Sequence, residues 1–323
     1  MSSALEREQE YSPPLPPRAV HAAIPAACAG LRLDQALARL FPEHSRARLQ
    51  GWIDAGRVQV DGAAATRSRR VWGGEQVQVE PEPATATLAA TPEALPLAVV
   101  YEDTDLLVIH KPAGLVVHPG SGNWSGTLLN ALLARGADAA TLPRAGIVHR
   151  LDKDTSGLLV VARTPEAHTA LVRQLQARTV SRNYLAVAFG RLAADTVVDA
   201  PIGRDPRQRT RMAVVAGGRE ARTRLLVREQ GAGWTLLECA LETGRTHQIR
   251  VHLASIGHGL LGDPVYGPRA LPALLAARVN GFTRQALHAW RLALHHPRTG
   301  EVMGWEAPPP PDFTALLERL RAP

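Results

Sequence analysis

Hydrophobic positions change their spacing along the chain. Near the start, Leu33, Ala36, Leu37 and Leu40 recur at helical intervals, which predicts an amphipathic helix. A second helix follows through Trp52 and Ile53, with Ser45 placed to cap it and Gly56 to end it. Val58-Gln59-Val60 and Gln76-Val77-Gln78-Val79 alternate as short strands, the first running into an Asp61-Gly62 turn. Further on, 98–101 and 106–110 predict paired strands around an acidic turn, and strands are expected at 158–162, 184–189, 224–228 and 234–240. Helical patterns occur at 126–135, 166–177 and 246–256, and 312–320 predicts a terminal helix. Strands and helices are mixed without a regular alternation or an internal repeat. This predicts an α+β fold: a main domain around a largely antiparallel mixed sheet, preceded by a small N-terminal α/β module.

Composition marks the boundaries. Residues 1–24, with Pro13, Pro14, Pro16 and Pro17, are expected to be a disordered or loosely attached lead. The small module then spans 25–80, a Pro-, Ala-, Thr- and Glu-rich linker 81–96, and the main domain 97–323. The first seventeen residues are acidic and proline-containing and no run of eighteen apolar residues exists, so neither a signal peptide nor a transmembrane helix is expected. Cys28 and Cys239 form no metal spacing or disulfide framework, which leaves reduced, cytoplasmic residence as the expectation.

Charge adds a partner. A formal net charge of +7 and a pI near 10.2 call for an acidic ligand, nucleic acid ahead of an anionic membrane surface. No convincing basic amphipathic helix supports the membrane. Of the 37 lysines and arginines, only Lys111 and Lys153 are lysines. Arginine suits RNA because it binds phosphate bidentately and stacks on bases, although an arginine-biased genome gives the same ratio.

The chemistry concentrates in His149-Arg150-Leu151-Asp152-Lys153-Asp154-Thr155-Ser156-Gly157, which leads directly into the apolar run Leu158-Leu159-Val160-Val161-Ala162. A polar turn entering a buried strand is a place where a rigid sheet holds a reactive side chain. Taken alone, an aspartate there more often shapes its turn. The whole string, however, resembles the catalytic-aspartate motif of the RluA-type pseudouridine synthases. Three further strings resemble the same family in the same order. They are Lys111-Pro112-Ala113-Gly114-Leu115-Val116-Val117-His118-Pro119, Ser181-Arg182-Asn183-Tyr184-Leu185-Ala186, and Gly244-Arg245-Thr246-His247-Gln248-Ile249-Arg250-Val251-His252. The likeness continues through Asp263-Pro264-Val265-Tyr266-Gly267 and Arg284-Gln285-Ala286-Leu287-His288-Ala289 and covers about 25–320. The segment 25–80 resembles an S4 RNA-binding domain, with Arg46, Arg48, Arg57 and the 67–70 cluster as its basic face.

The resemblance implies an RNA pseudouridine synthase: a uridine's N-glycosidic bond is broken, the base turns, and it is rejoined through carbon. Asp152 is then the catalytic carboxylate, with Asp154 the competitor. Arg250 pairs with it, Arg245 being the alternative that spacing does not separate; an adjacent arginine favours the ionised carboxylate. Whether the aspartate attacks sugar, attacks base or removes a sugar proton stays open. Tyr184 is the aromatic wall for a flipped uracil, or also the group that takes the final proton. Arg150 and Lys111 are expected to contact RNA. Arg204 and Arg207, in a string of four arginines over 204–211, are expected to hold its backbone from a loop. His247, His252, His288, His295 and His296 are expected to be structural or RNA-facing, without carboxylates at ligand spacing. Isomerisation consumes neither electrons nor water. No metal-ligand set, P-loop or dinucleotide glycine string occurs, so neither metal nor cofactor is expected. The layout is nearest the RluD-like branch. It implies 23S ribosomal RNA or a large-subunit precursor particle as partner, at the helix 69 stem-loop, and a monomeric protein. A sister branch that modifies other uridines is the alternative substrate reading, and an RNA-binding assembly factor with an idle pocket is the rival function.

Overall fold

The chain divides into two compact units, Met1–Leu88 and Ala89–Pro323. The computed structural model describes residues 19–42, 44, 46–81, 91–120 and 122–322. Most of the predicted 1–24 lead, the capping Ser45 and residues 82–90 of the predicted linker therefore lie outside the described residues.

The first unit packs two helices, α1 (Leu33–Leu40) and α2 (Arg46–Asp54), on four short strands: β1 (Val20–Ala23), β2 (Val58–Val60), β3 (Ala63–Ala64) and β4 (Gln76–Val79). The antiparallel order is β1-β4-β2-β3. Leu33, Leu37, Leu49 and Trp52 share one core with Val58, Val60, Val77 and Val79. The predicted turn is present: Asp61 (φ 54) and Gly62 (φ 78) take the left-handed conformations of a type I′ hairpin. One expectation needs correction. Val20–Ala23 belongs to the sheet, pairing Val20 with Val79 and Ala23 with Gln76. The strand is short, mostly exposed and close to prolines, so its sequence carries no amphipathic signal.

The second unit is built on a sheet ordered β5-β6-β7-β14-β8-β13-β12-β9, in which β15 also pairs with β14. The strands are β5 (Ala98–Glu102), β6 (Leu106–Lys111), β7 (Ser156–Ala162), β8 (Ser181–Phe189), β9 (Thr196–Asp199), β12 (Arg222–Gly231), β13 (Trp234–Leu241), β14 (Leu287–His295) and β15 (Val302–Glu306). A separate hairpin joins β10 (Ile202–Arg204) to β11 (Met212–Val214). Among these pairings only β14 with β7 is parallel, so the sheet is largely antiparallel and the fold is α+β. Six helices accompany the described part of this sheet: α3 (Leu128–Ala134), α4 (Ala137–Thr141), α5 (Pro165–Gln176), α6 (Gln248–Ser255), α7 (Ala273–Val279) and α8 (Pro311–Arg321). Residues 91–96, expected as linker, are partly fastened to α3. Asn130 Nδ2 donates to the Thr91 carbonyl, and the Glu93 carboxylate accepts from the Gly126 N–H.

Strand β7 explains why a continuous apolar run is needed. Every residue from Ser156 to Ala162 is buried. Leu159 and Val161 share a core with Leu128 of α3 and Ile249 and Leu253 of α6. Leu158 and Val160 share another with Leu171 of α5. A strand covered on both faces has no polar alternation to display. Its N-terminal end carries the polar turn singled out above.

Candidate active site

The turn 149–155 is fixed mainly through its backbone. Lys111 is completely buried, and its Nζ donates to the carbonyls of Pro112, Leu115 and Lys153, each at 2.8 Å. Arg284 Nη1 donates to the Asp154 carbonyl, and Gln285 Nε2 donates to Thr155 Oγ1. Ser156 Oγ lies 2.9 Å from His288 Nδ1, while His288 Nε2 reaches the Ala307 carbonyl. That arrangement assigns the ring proton to Nε2 and lets the serine donate to Nδ1. Gly157 has φ +118, and a Cβ there would meet the Ala289 carbonyl oxygen at 2.1 Å, so only glycine lets β14 approach.

Asp152 projects from this turn toward α6. Arg250 Nη1 donates to its Oδ2 at 2.9 Å. The same guanidinium is gripped from behind: Nε and Nη2 donate to the two carboxylate oxygens of Asp263, at 2.7 and 2.8 Å. Asp263 also accepts the backbone N–H groups of Val265 and Tyr266. Exposure rises along the chain of charges, from 0% for the Asp263 side chain to 6% for Arg250 and 17% for Asp152. Burial opposes the charge of Arg250, but Asp263 and then Asp152 outweigh it and hold its pKa above the ordinary arginine range. Burial likewise works against the Asp263 carboxylate, and Arg250 more than offsets it, leaving the pKa below its usual value. A bidentate, hydrogen-bonded arginine is a rigid platform, and it presents a single outward N–H to Asp152.

The Tyr266 ring stacks under Arg250, with the guanidinium carbon 4.9 Å from the ring centre. Its hydroxyl accepts the Met212 N–H and lies 2.8 Å from His247 Nδ1. His247 Nε2 is 3.9 Å from Asp152 Oδ1. Burial, the largest influence, lowers the His247 pKa, so the ring is neutral near pH 7. With the tyrosine donating to Nδ1, its proton sits on Nε2, facing the aspartate. His247 adopts φ 57 at the start of α6, an uncommon conformation for a non-glycine residue, and such strain clusters at working sites.

Asp152 and His247 line a cleft of about 820 Å³. Tyr184 forms part of its wall from β8, where it pairs with Ala289 and Cys239 on the neighbouring strands. Only 6% of the residue is exposed, and burial pushes its hydroxyl pKa up to about 12. Asp152, Arg150 and Tyr184 all line this cleft, and Arg250 touches it through Asp152. Of the two competing arginines, Arg245 donates instead to the Glu220 carbonyl, which leaves Arg250 as the partner of Asp152. Asp154 is absent from the cleft lining.

Several RNA-contacting expectations change. Lys111 cannot touch RNA, because it is fully buried and its ammonium is spent on three carbonyls. Arg46 is half-exposed, but its guanidinium pairs with the fully buried Asp34 at 2.8 Å, so it braces the small unit. The Arg57 side chain is partly buried, and the side chain of Arg48 lies outside the described residues. Arg207 is exposed in the loop between β10 and β11, whereas Arg204, expected in that loop, is exposed at the end of β10, pairs with Met212 and donates from Nη1 to the Arg209 carbonyl. The histidines also need one correction. Asp103 and Asp105 gather around His296, their ligand atoms within 4.8 Å of one another, a grouping their separation in sequence hides. Arg298 occupies the Asp105 carboxylate at 2.7 and 2.8 Å, which makes the cluster an ion-pair network. Asp263 and Tyr266, in contrast, belong to the site although sequence spacing gave them no role. They lie 13 and 16 positions from Arg250, and only the fold brings them to it.

Comparison with known proteins finds the RNA pseudouridylate synthase family profile over residues 105–255 and the S4 domain profile over 31–77. The ribosomal large subunit pseudouridine synthase D of Nitrosomonas europaea is 58% identical over 298 residues, 92% of this chain and 87% of that protein. That of Xanthomonas campestris pv. campestris is 52% identical over 317 residues, 97% and 96% of the two chains. Among solved structures, human RNA pseudouridylate synthase domain containing 1 superposes with a TM-score of 0.54 at 27% identity, covering 68% of this chain and 85% of that one.

Proposed function

The chain belongs to the RNA pseudouridylate synthase family, and on that premise we propose that it isomerises uridines of 23S ribosomal RNA with Asp152 as the catalytic carboxylate. The observation that carries the assignment of Asp152 is the chain Asp263–Arg250–Asp152, which delivers one fixed, charge-paired carboxylate to the wall of an arginine-rich cleft beside Tyr184. An ionised carboxylate serves either as nucleophile or as base. Arg250 pairs with it and fixes its orientation. The Tyr184 ring replaces the stacking that a flipped uracil loses, and its hydroxyl takes part in the final proton transfer. Arg150 and the exposed Arg204 and Arg207 meet the RNA backbone, and Arg150 enters where the uridine leaves the stack.

The finer assignment is the helix 69 stem-loop of the large subunit, acted on in free RNA or a precursor particle. It is supported by the likeness to the RluD-like branch over almost the whole chain. The protein works as a cytoplasmic monomer without metal or cofactor, since the isomerisation conserves every atom and electron. Among the described residues no helix is long and apolar enough to cross a membrane. Mapping pseudouridines in 23S RNA from a strain lacking the protein tests the assignment. The expected result is loss confined to helix 69 and restored by the wild-type chain. Loss at other uridines with helix 69 intact would contradict it.

A further inference from the structure

Among the described residues of the second unit two arginines are buried, and they are treated in opposite ways. Arg250 has two carboxylates. Arg182, in β8, is 9% exposed, and among the described residues no carboxylate pairs with it. Its Nε is buried without a hydrogen-bond partner. It lines the same cleft as Asp152, two residues before Tyr184 and on the same face of the strand. Its guanidinium is tucked against Gly244: a Cβ at that position would sit 2.8 Å from Nη1. A side chain at position 244 would push the end of the Arg182 guanidinium aside.

An uncompensated guanidinium under cover is costly for a free protein. Burial lowers its pKa, and its charge adds to the burial that holds His149 neutral. The cost makes sense if a ligand brings the missing negative charge. A uracil carbonyl would satisfy one N–H and leave the charge unmatched, whereas a phosphodiester matches the charge and presents two oxygens to the planar fork. Around Arg182 the cleft lining is rich in further arginines, including Arg144 and Arg150, so a backbone path toward it is already positive.

We propose that Arg182 is a phosphodiester-binding residue of the cleft, holding one of the two phosphates that flank the flipped uridine. The proposal rests on the chain acting as an RNA pseudouridine synthase. It assigns Gly244 the task of leaving room for the guanidinium. Phosphate and arginine neutralise each other only in the complex, so each depends on the other for its contribution.

The test combines protein variants with a target stem-loop RNA in which either flanking phosphate is made neutral as a methylphosphonate. Arg182→Met should weaken binding about tenfold, the scale of one charge-assisted contact, and reduce the salt slope of log Kd by about 1. One of the two neutral linkages should weaken the wild type equally and cost Arg182→Met nothing further. Gly244→Ala should weaken binding in the same direction by displacing the guanidinium. Without RNA, Arg182→Met should melt no lower than the wild type, because it removes an unpaired buried charge. Additive losses from variant and neutral linkage would overturn the proposal, as would a lowered melting point with unchanged affinity. If the wild type forms no pseudouridine in this RNA, the functional reading fails instead; pseudouridine formation with additive losses sinks the phosphate contact alone.

Discussion

Asp152 acts within a chain of side chains in which each fixes the next. Asp263 orients Arg250, Arg250 orients Asp152, and Tyr266 links Arg250 to His247. Tyr184 is the residue whose two roles separate by substitution. Tyr184→Ala should lose both ring and hydroxyl, with the ring worth on the order of 1–3 kcal/mol. Tyr184→Phe should keep substrate affinity and stall after the base has been rejoined, seen in single-turnover assays with deuterium on the uracil carbon that loses its proton. Wild-type rates in both variants would assign Tyr184 to the core alone. Asp152, Arg250 and Tyr184 are picked out in the sequence by the strings that resemble the family, although spacing alone does not separate Arg250 from Arg245. Asp263, Tyr266 and Arg182 were not assigned there. Their contacts cross from the first turn of α6 to a later loop, or from β8 to the loop before α6, and no local pattern encodes such distances. Lys111 was legible as a needed lysine, but burial gave it a different task.

At the level of elements, the turn 149–155 is built like a clamp on the end of β7. Burial pulls the Lys111 pKa down to about 7. Its three carbonyl partners nevertheless each take one N–H, which only the ammonium form supplies in full. Lys111→Met should therefore leave the Pro112 and Leu115 carbonyls without this donor, while the Lys153 carbonyl keeps the Gly114 N–H, and should destabilise the protein by about 2–6 kcal/mol, at roughly 1–3 kcal/mol for each of the two groups. Denaturant unfolding measures this, and an unchanged midpoint would contradict the clamp. His288 offers a pH test. Burial, the largest cause, lowers its pKa to about 4 from an ordinary 6.5. The unfolded chain thus binds its proton first as pH falls, and the stability His288 contributes above 6.5 is lost between about 6.5 and 4. The melting temperature should fall across that window, and His288→Gln should flatten the fall. The elements themselves differ in how well they announce themselves. β7 carries a pure apolar run from Leu158 to Ala162 and α5 a regular amphipathic pattern. β14, a central strand, carries Trp290, Arg291 and two histidines, because part of it meets the His288 clamp rather than plain core.

The whole molecule is divided between two units. Each unit has its own hydrophobic core, and the profile matches fall one in each. Removal of residues 1–80 should leave a folded second unit that retains most of the chemical step but binds RNA more weakly and chooses sites less well. An insoluble product, or unchanged affinity and site choice, would assign the first unit a purely structural task. The net charge of +7 is spread over many arginines, so affinity should survive the loss of any single acidic group, whereas turnover depends on one carboxylate. The most direct test of this account is Asp152→Asn on the 23S stem-loop, with Kd and pseudouridine yield measured on the same samples. The account predicts an affinity within a few-fold of wild type and activity below about a hundredth, the usual cost of losing an essential nucleophile or base, with Asp154→Asn retaining most activity. Pseudouridine formation by Asp152→Asn at more than that fraction of the wild-type rate would contradict it.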